Sequence, residues 1–257
     1  MSLRVWLPLN GSLENQGLDN VTVTNNGASV DNNGKIGKCY SFPSSGGNLT
    51  LPALAMKNFV ATNGCSVVFW IKLNAWCSSW ETYFQAGTGG NAWNNYIFGI
   101  LRNSTSSKIC FTIYNGSSYS GSSYLTSDWV VGEWMHVAFI YETGKCKIYL
   151  NGELDKEYTT TIVPKFANIT KITIGRSNNE SGYPANCLMN DFRIYDHVLS
   201  PQEVKKISQG LVLHYPLNRR GFGQENLYKG TKDFSGTWIN SPYWTTSSET
   251  YKGFVVK

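Results

Sequence analysis

Gly132-Glu133-Trp134-Met135-His136-Val137-Ala138-Phe139-Ile140-Tyr141 runs into Glu142-Thr143-Gly144-Lys145, then Cys146-Lys147-Ile148-Tyr149-Leu150, then Asn151-Gly152 and the stretch from Glu153 to Tyr158. The apolar runs are short, rich in β-branched and aromatic residues, and separated by turn residues, so they predict three strands joined by two hairpins. Asn-Gly is the strongest of these signals, because both residues tolerate the positive φ of a type I′ turn. The same pattern extends outward through Cys65 to Leu73, Tyr96 to Leu101, Lys108 to Tyr114, Lys171 to Ile174 and Leu188 to Tyr195, each bounded by Gly, Asn or Ser clusters. Many short strands at regular spacing predict an all-β sandwich of two antiparallel sheets.

Composition agrees with that reading and excludes several others. The 257 residues are 41% hydrophobic and 14% aromatic, with Trp 9 and Tyr 15, which suits strands and is enough to build a core. Only 15% are charged, against roughly 25% in an average soluble chain, so Asn, Ser, Thr, Gly and Tyr must solvate much of the surface. The longest apolar runs, such as Val67 to Ile71, fall far short of a membrane span, and no membrane insertion is expected. The net charge of +5 is dispersed, its only clusters being the pairs Lys205-Lys206 and Arg219-Arg220, so no nucleic-acid partner is expected. The opening Met1-Ser2-Leu3-Arg4-Val5-Trp6-Leu7-Pro8 has none of the marks of a secretory signal, and synthesis in a cytosol is the expectation. Six scattered cysteines, without a CxxC pair, are expected to be buried thiols rather than zinc ligands.

One helix is written clearly. Ser200-Pro201-Gln202-Glu203 is a capping box with proline at the first helical position, Leu199 and Val204 are spaced as a hydrophobic staple, and Gly210 ends the element. Beyond it the chain repeats its own beginning, since Leu3-Arg4-Val5-Trp6-Leu7-Pro8-Leu9-Asn10 aligns with Leu211-Val212-Leu213-His214-Tyr215-Pro216-Leu217-Asn218. The expected domains are therefore a sandwich over 3–215, and over 216–257 a linker with the first strands of a second, truncated β-domain.

Three stretches together resemble the laminin-G-like, concanavalin A-like lectin/glucanase family, in the version found in bacteriophage and prophage structural proteins. Leu7-Pro8-Leu9-Asn10-Gly11 with Gly34-Lys35-Ile36-Gly37-Lys38-Cys39-Tyr40-Ser41-Phe42 resembles its opening pair of strands. Gly132 to Phe139 through Ile148 to Leu154 is similar to its central signature, and Asn190-Asp191-Phe192-Arg193-Ile194-Tyr195 followed by Leu199 to Val204 to its closing strand and capped helix. The resemblance implies a jelly roll, a non-enzymatic module that recognises a host surface polysaccharide, a place in a virion beside other virion subunits, and a homo-oligomer such as a trimer. The alternative is a structural tail, baseplate or decoration module. Family members that bind Ca²⁺ carry acidic residues after the strand that here ends at Phe42, whereas Pro43-Ser44-Ser45-Gly46-Gly47-Asn48 follows; Asn48, Asn190 and Asp191 are the candidate ligands. No other cofactor is expected.

Catalysis has one weak candidate. Glu153-Leu154-Asp155-Lys156-Glu157 matches the Glu-x-Asp-x-Glu strand of hydrolases with this fold, but carboxylates at i and i+4 stand about 13 Å apart on a straight strand, and retaining hydrolysis needs about 5 Å. A solvated strand face is the expected reading, and His136 is expected to be a satisfied core histidine. Aromatics between strands carry more information. Trp76, Trp80, Trp93 with Asn94, Tyr96, Tyr119, Tyr124 and Tyr183 lie in or beside Ser/Gly/Asn-rich loops, where an amphipathic ring can stack on a sugar face while polar neighbours take the hydroxyls. Glycan contact, protein contact and capping of the sandwich ends are all open to them.

Overall fold

The computed structural model describes residues 2–88, 95–104, 108–118, 123–178 and 182–210, with backbone alone at 123–124. In chain order the strands are β1 (Leu3–Leu7), β2 (Thr24–Asn26), β3 (Ser29–Asp31), β4 (Cys39–Phe42) and β5 (Asn48–Pro52). After the short helix α1 (Leu54–Lys57) come β6 (Cys65–Leu73), β7 (Glu81–Gly87), β8 (Tyr96–Arg102), β9 (Ile109–Ile113) and β10 (Ser123–Tyr124). The chain continues with β11 (Trp134–Glu142), β12 (Lys145–Leu150), β13 (Glu153–Thr159), β14 (Lys171–Ile174), β15 (Cys187–Tyr195) and α2 (Pro201–Ser208). No described helix is long and apolar enough to cross a membrane.

Among the described residues, eight strands form one sheet in the order β13-β12-β11-β6-β15-β4-β3, with β1 added beside β15, and seven form the other in the order β10-β9-β8-β7-β14-β5-β2. All ladders between named strands are antiparallel. The expected opening strands, β1 and β4, do not pair with each other. Each takes one end of β15, with Leu7 opposite Phe192 and Tyr40 opposite Met189, so the two share a neighbour across a register shift at Asn190.

Period-two alternation sends Phe69, Phe139 and Phe192 of one sheet and Phe84, Phe98 and Phe111 of the other into the space between the sheets. Their rings close a circuit: Phe192 to Phe69 at 5.6 Å, Phe69 to Phe139 at 6.2 Å, Phe139 to Phe111 at 5.8 Å, Phe111 to Phe98 at 4.6 Å, Phe98 to Phe84 at 6.0 Å and Phe84 back to Phe192 at 5.5 Å. Each ring meets two others, and such contacts contribute about 0.5–1.5 kcal/mol beyond burial.

The outer face of the eight-stranded sheet is also covered in part. Val68, Ala138, Ile140 and Tyr149 pack under Leu199 and Val204 of the α2 region, which explains why β6 and β11 are buried on both sides. The helix begins as expected: the Ser200 N–H donates to the Glu203 carboxylate at 2.8 Å, and the Glu203 N–H donates back to Ser200 Oγ at 3.3 Å. The Asn151-Gly152 turn has φ of 51° and 88°, as a type I′ turn requires. A Cβ at Gly152 would stand 2.3 Å from Ser208 Oγ, so glycine lets the hairpin pass beneath the helix. The described cysteines are free thiols, all buried except the half-buried Cys77.

Candidate functional site

Glu81 opens β7 and Arg102 ends β8, and the ladder places them opposite each other. Their side chains are almost completely shielded from solvent, 0% and 3% exposed. Arg102 Nε donates to Glu81 Oε2, Nη1 donates to the Asn103 carbonyl at 2.9 Å, and Nη2 reaches the carbonyls of Cys77 at 2.6 Å and Ser79 at 3.2 Å. Glu81 in turn accepts the Tyr83 hydroxyl at 3.1 Å and the Cys77 N–H at 3.3 Å. A buried ion pair is tolerated only when its remaining donors and acceptors are filled, and here the loop backbone fills them. The pair therefore sets the shape of residues 74–80, and burial followed by the Glu81 charge pushes the Cys77 thiol up to about 12.

That loop carries two of the expected aromatics. The Arg102 guanidinium stacks over Trp76 at 4.8 Å, and Trp80 packs against the outer face of the seven-stranded sheet on Tyr96, Leu101 and Cys110. Tyr183 arrives from the connection between β14 and β15, its ring 6.2 Å from that of Trp80. The two loops are joined by the Thr82 N–H to the Tyr183 carbonyl at 2.9 Å, Asn74 N–H to the Asn186 carbonyl at 3.0 Å, and Cys77 Sγ to the Pro184 carbonyl at 3.7 Å. Behind Tyr183, Asn178 fastens the second loop to the sheet: its N–H donates to Gln85 Oε1 at 2.7 Å and its amide to the Lys171 carbonyl at 3.0 Å. Two half-buried rings, Trp80 and Tyr183, thus meet where the two loops are tied, while the third, Trp76, lies over Arg102 and packs against the core between the sheets.

The profile of the Concanavalin A-like lectin/glucanases superfamily, in its laminin G form, matches residues 43–205. The chain belongs to this superfamily. Among solved structures with the lectin/glucanase fold, it is similar to the receptor binding domain of botulinum neurotoxin C/D mosaic serotype, with TM-score 0.63 and 18% identity over 82% of this chain and 52% of that one. It is similar to domain 4 of AbnA, an extracellular arabinanase of Geobacillus stearothermophilus solved with arabinotriose, with TM-score 0.61 and 21% identity over 81% of this chain and 98% of that one. A structure described as showing that cell entry of botulinum neurotoxin type C depends on two ganglioside molecules aligns with TM-score 0.60 and 21% identity, over 81% of this chain and 51% of that one. The chain spans about half the length of the neurotoxin domains it resembles. No curated protein matches it in sequence.

The other expected lectin-site residues fare differently. Tyr96 is not on the surface: it is 1% exposed, its hydroxyl lies 3.2 Å from Thr82 Oγ1, and burial pushes it up to about 12. It supports Trp80 from beneath because Trp80 folds back onto the sheet. Trp93, Asn94 and Tyr119, and the side chain of Tyr124, lie outside the described residues, as do residues 211–257 and the second domain expected there. Glu81 and Arg102 were not anticipated as site residues. Their only signal was charge inside otherwise apolar strands.

The candidate calcium ligands do not form one donor set. Asn48 is in the other sheet from Asn190 and Asp191. Asn190 accepts the Ile36 N–H at 2.8 Å and donates to the carbonyls of Pro8 at 2.9 Å and Lys38 at 3.1 Å, while the Asp191 carboxylate holds Arg193 through both oxygens and accepts Trp6 Nε1–H at 2.7 Å. Among the described residues no three His, Cys, Asp or Glu side chains converge as metal ligands. The three carboxylates of β13 also go separate ways. Glu153 pairs with Lys205 at 2.7 Å, Asp155 accepts the N–H groups of Thr126 at 2.6 Å and Ser127 at 3.0 Å, and Glu157 pairs with Lys145 at 3.1 Å. His136 corrects another expectation: it is buried, but neither ring nitrogen has a hydrogen-bond partner among the described residues.

Proposed function

We propose that this chain is a carbohydrate-binding module whose platform is Trp76, Trp80 and Tyr183. The observation that carries the proposal is the meeting of Trp80 with Tyr183 on two loops tied to each other, beside Trp76 held over Arg102 in the same loop, because rigid, half-exposed amphipathic rings are what the apolar face of a sugar stacks on. Asn74, Ser78, Ser79 and Asn186 stand beside the rings and offer partners to hydroxyls. The similar arabinanase domain solved with arabinotriose and the neurotoxin described as depending on two gangliosides support the reading, as does membership of a superfamily named for lectins and glucanases.

The module binds without hydrolysis, since the carboxylates of Glu153, Asp155 and Glu157 are directed to three separate partners rather than to a shared cleft. We further assign it to a phage or prophage virion protein, where it adheres to a bacterial surface polysaccharide beside other virion subunits in an oligomeric, trimeric assembly. That placement rests on the resemblance of its strand signature and closing helix to this version of the family.

Tryptophan fluorescence titrated with bacterial surface polysaccharides and their component sugars, with and without Ca²⁺, tests the proposal. The expected result is a saturable shift, lost in Trp80→Ala, with no release of reducing sugar. A flat response over millimolar sugar from all of these would overturn it and leave the loops as contacts to other virion subunits.

A further inference from the structure

On the outer face of the eight-stranded sheet, Trp70 of β6 and His136 of β11 are direct cross-strand partners, their rings 5.4 Å apart and inclined at 67°. Both are buried, at 5% and 0% exposure, yet among the described residues Trp70 Nε1 and both imidazole nitrogens have no hydrogen-bond partner. An indole nitrogen can only donate, and a neutral imidazole has one N–H to give. One N–H from Trp70 and one from His136 are thus left without acceptors in the interior, where an unmade hydrogen bond is costly, and a partner that supplies acceptors would satisfy both.

The surroundings state what charge that partner carries. Lys35, an exposed residue, places its ammonium 4.6 Å over the Trp70 ring. Lys72 follows Trp70 at the next position on the same face of β6, opposite Trp134. Arg193 lies in β15 on the other flank of β6, and Asp191, the acid nearest it in that strand, is already taken by Arg193 and Trp6. His136 is lowered to about 3 by burial and then by the Arg193 charge, so the imidazole is neutral and sits in a positive field.

We propose that Trp70 Nε1–H, the His136 imidazole and the Lys35 ammonium form a binding site for a small oxyanion, with Lys35 closing over it from solvent. The shared chemistry is a compact, negatively charged group of oxygen acceptors, from either an acidic sugar carboxylate or a free inorganic anion. The site is separate from the aromatic platform of the other sheet and does not depend on it.

The test is NMR of the full chain labelled with nitrogen-15, following the indole N–H of Trp70, assigned through Trp70→Phe, and the ring nitrogens of His136. Sodium phosphate and sodium glucuronate are titrated at constant ionic strength, with glucose as the neutral control. Both residues are expected to shift together and saturably with at least one anion and not with glucose. Response to glucuronate identifies a sugar carboxylate, and response to phosphate alone a free anion. Lys35→Met, on the surface and safe for folding where a His136 truncation is not, is expected to weaken binding at least tenfold. Shifts absent with both anions, shifts that track total salt without saturating, or an unchanged affinity in Lys35→Met would each overturn the proposal.

Discussion

Two clusters in this molecule use the same three chemical parts. Arg102 joins Glu81 and stacks on Trp76, and Arg193 joins Asp191 and stacks on Trp6, with guanidinium-to-ring distances of 4.8 Å in each case. The difference lies in what the tryptophan belongs to. Trp6 is in a strand and donates its indole N–H to Asp191, so its cluster sews β1 to β15. Trp76 is in a loop and half exposed, and the arginine beneath it spends its other donors on loop carbonyls. One arrangement closes the sheet; the other shapes a surface. Both rings are half-buried, so an arginine–carboxylate–tryptophan group points to a shaped surface only when its surplus donors go to a loop.

The largest effects should come from breaking either ion pair. Arg102→Ala and Arg193→Ala each leave a buried carboxylate without its cation, and each is expected to cost about 3–5 kcal/mol in urea unfolding. A loss under about 1 kcal/mol at either site would show that solvent reaches the pair. Glu81→Leu with Arg102→Met sharpens the contrast. It is expected to recover most of the stability, because apolar replacement of both partners removes the desolvation cost, yet to lose the sugar-induced fluorescence shift because the loop carbonyls are released.

Next in size, Trp6→Phe is expected to destabilise the fold by about 1–2 kcal/mol through the lost indole hydrogen bond, whereas Trp76→Phe should leave the melting temperature within a few degrees. If the two variants melted alike, the distinction between closing a sheet and shaping a surface would fail. Trp80→Ala should reduce sugar affinity at least tenfold while far-ultraviolet circular dichroism is unchanged. Loss of the β-sheet spectrum would instead assign Trp80 to capping Tyr96.

The smallest effect concerns pH. Burial raises the Asp155 carboxyl, but hydrogen bonds from Ser127 and Thr126 outweigh it and hold the group below its ordinary value. Its contribution is therefore present above the ordinary aspartate range and lost as pH falls through the depressed value. Asp155→Asn should narrow the difference in stability between pH 6 and pH 3 only slightly, by well under about 1 kcal/mol for so exposed a position. An unchanged difference would mean that the bond to Thr126 is not made in solution.

What was legible in the chain was local. Asn151-Gly152 and Ser200-Pro201-Gln202-Glu203 carry their geometry within a few residues, and both form as read. Loop aromatics were legible as a class, because Trp76 and Trp80 stand among serines outside the strand pattern. The meeting of Trp80 with Tyr183 was not, since it depends on the pairing of β7 with β8 and on contacts between loops about a hundred residues apart. Tyr96 was misjudged for the same reason: its burial comes from Trp80 folding over it, a tertiary event that leaves no local trace. His136 sat in a recognisable core strand, but its lack of partners is a property of both faces of a sheet.

The circuit of six phenylalanines has a consequence for engineering. All six belong to strands, three from each sheet, and none comes from residues 74–80 or 182–186. The aromatic frame is thus written in the strands, and the loops add only Ala185 and the packing of Trp76 to the core. A library that randomises the exposed positions of the two loops, while keeping Trp76, Glu81, Arg102 and the buried Ala185, would sample new specificities on a scaffold whose phenylalanine circuit is left intact.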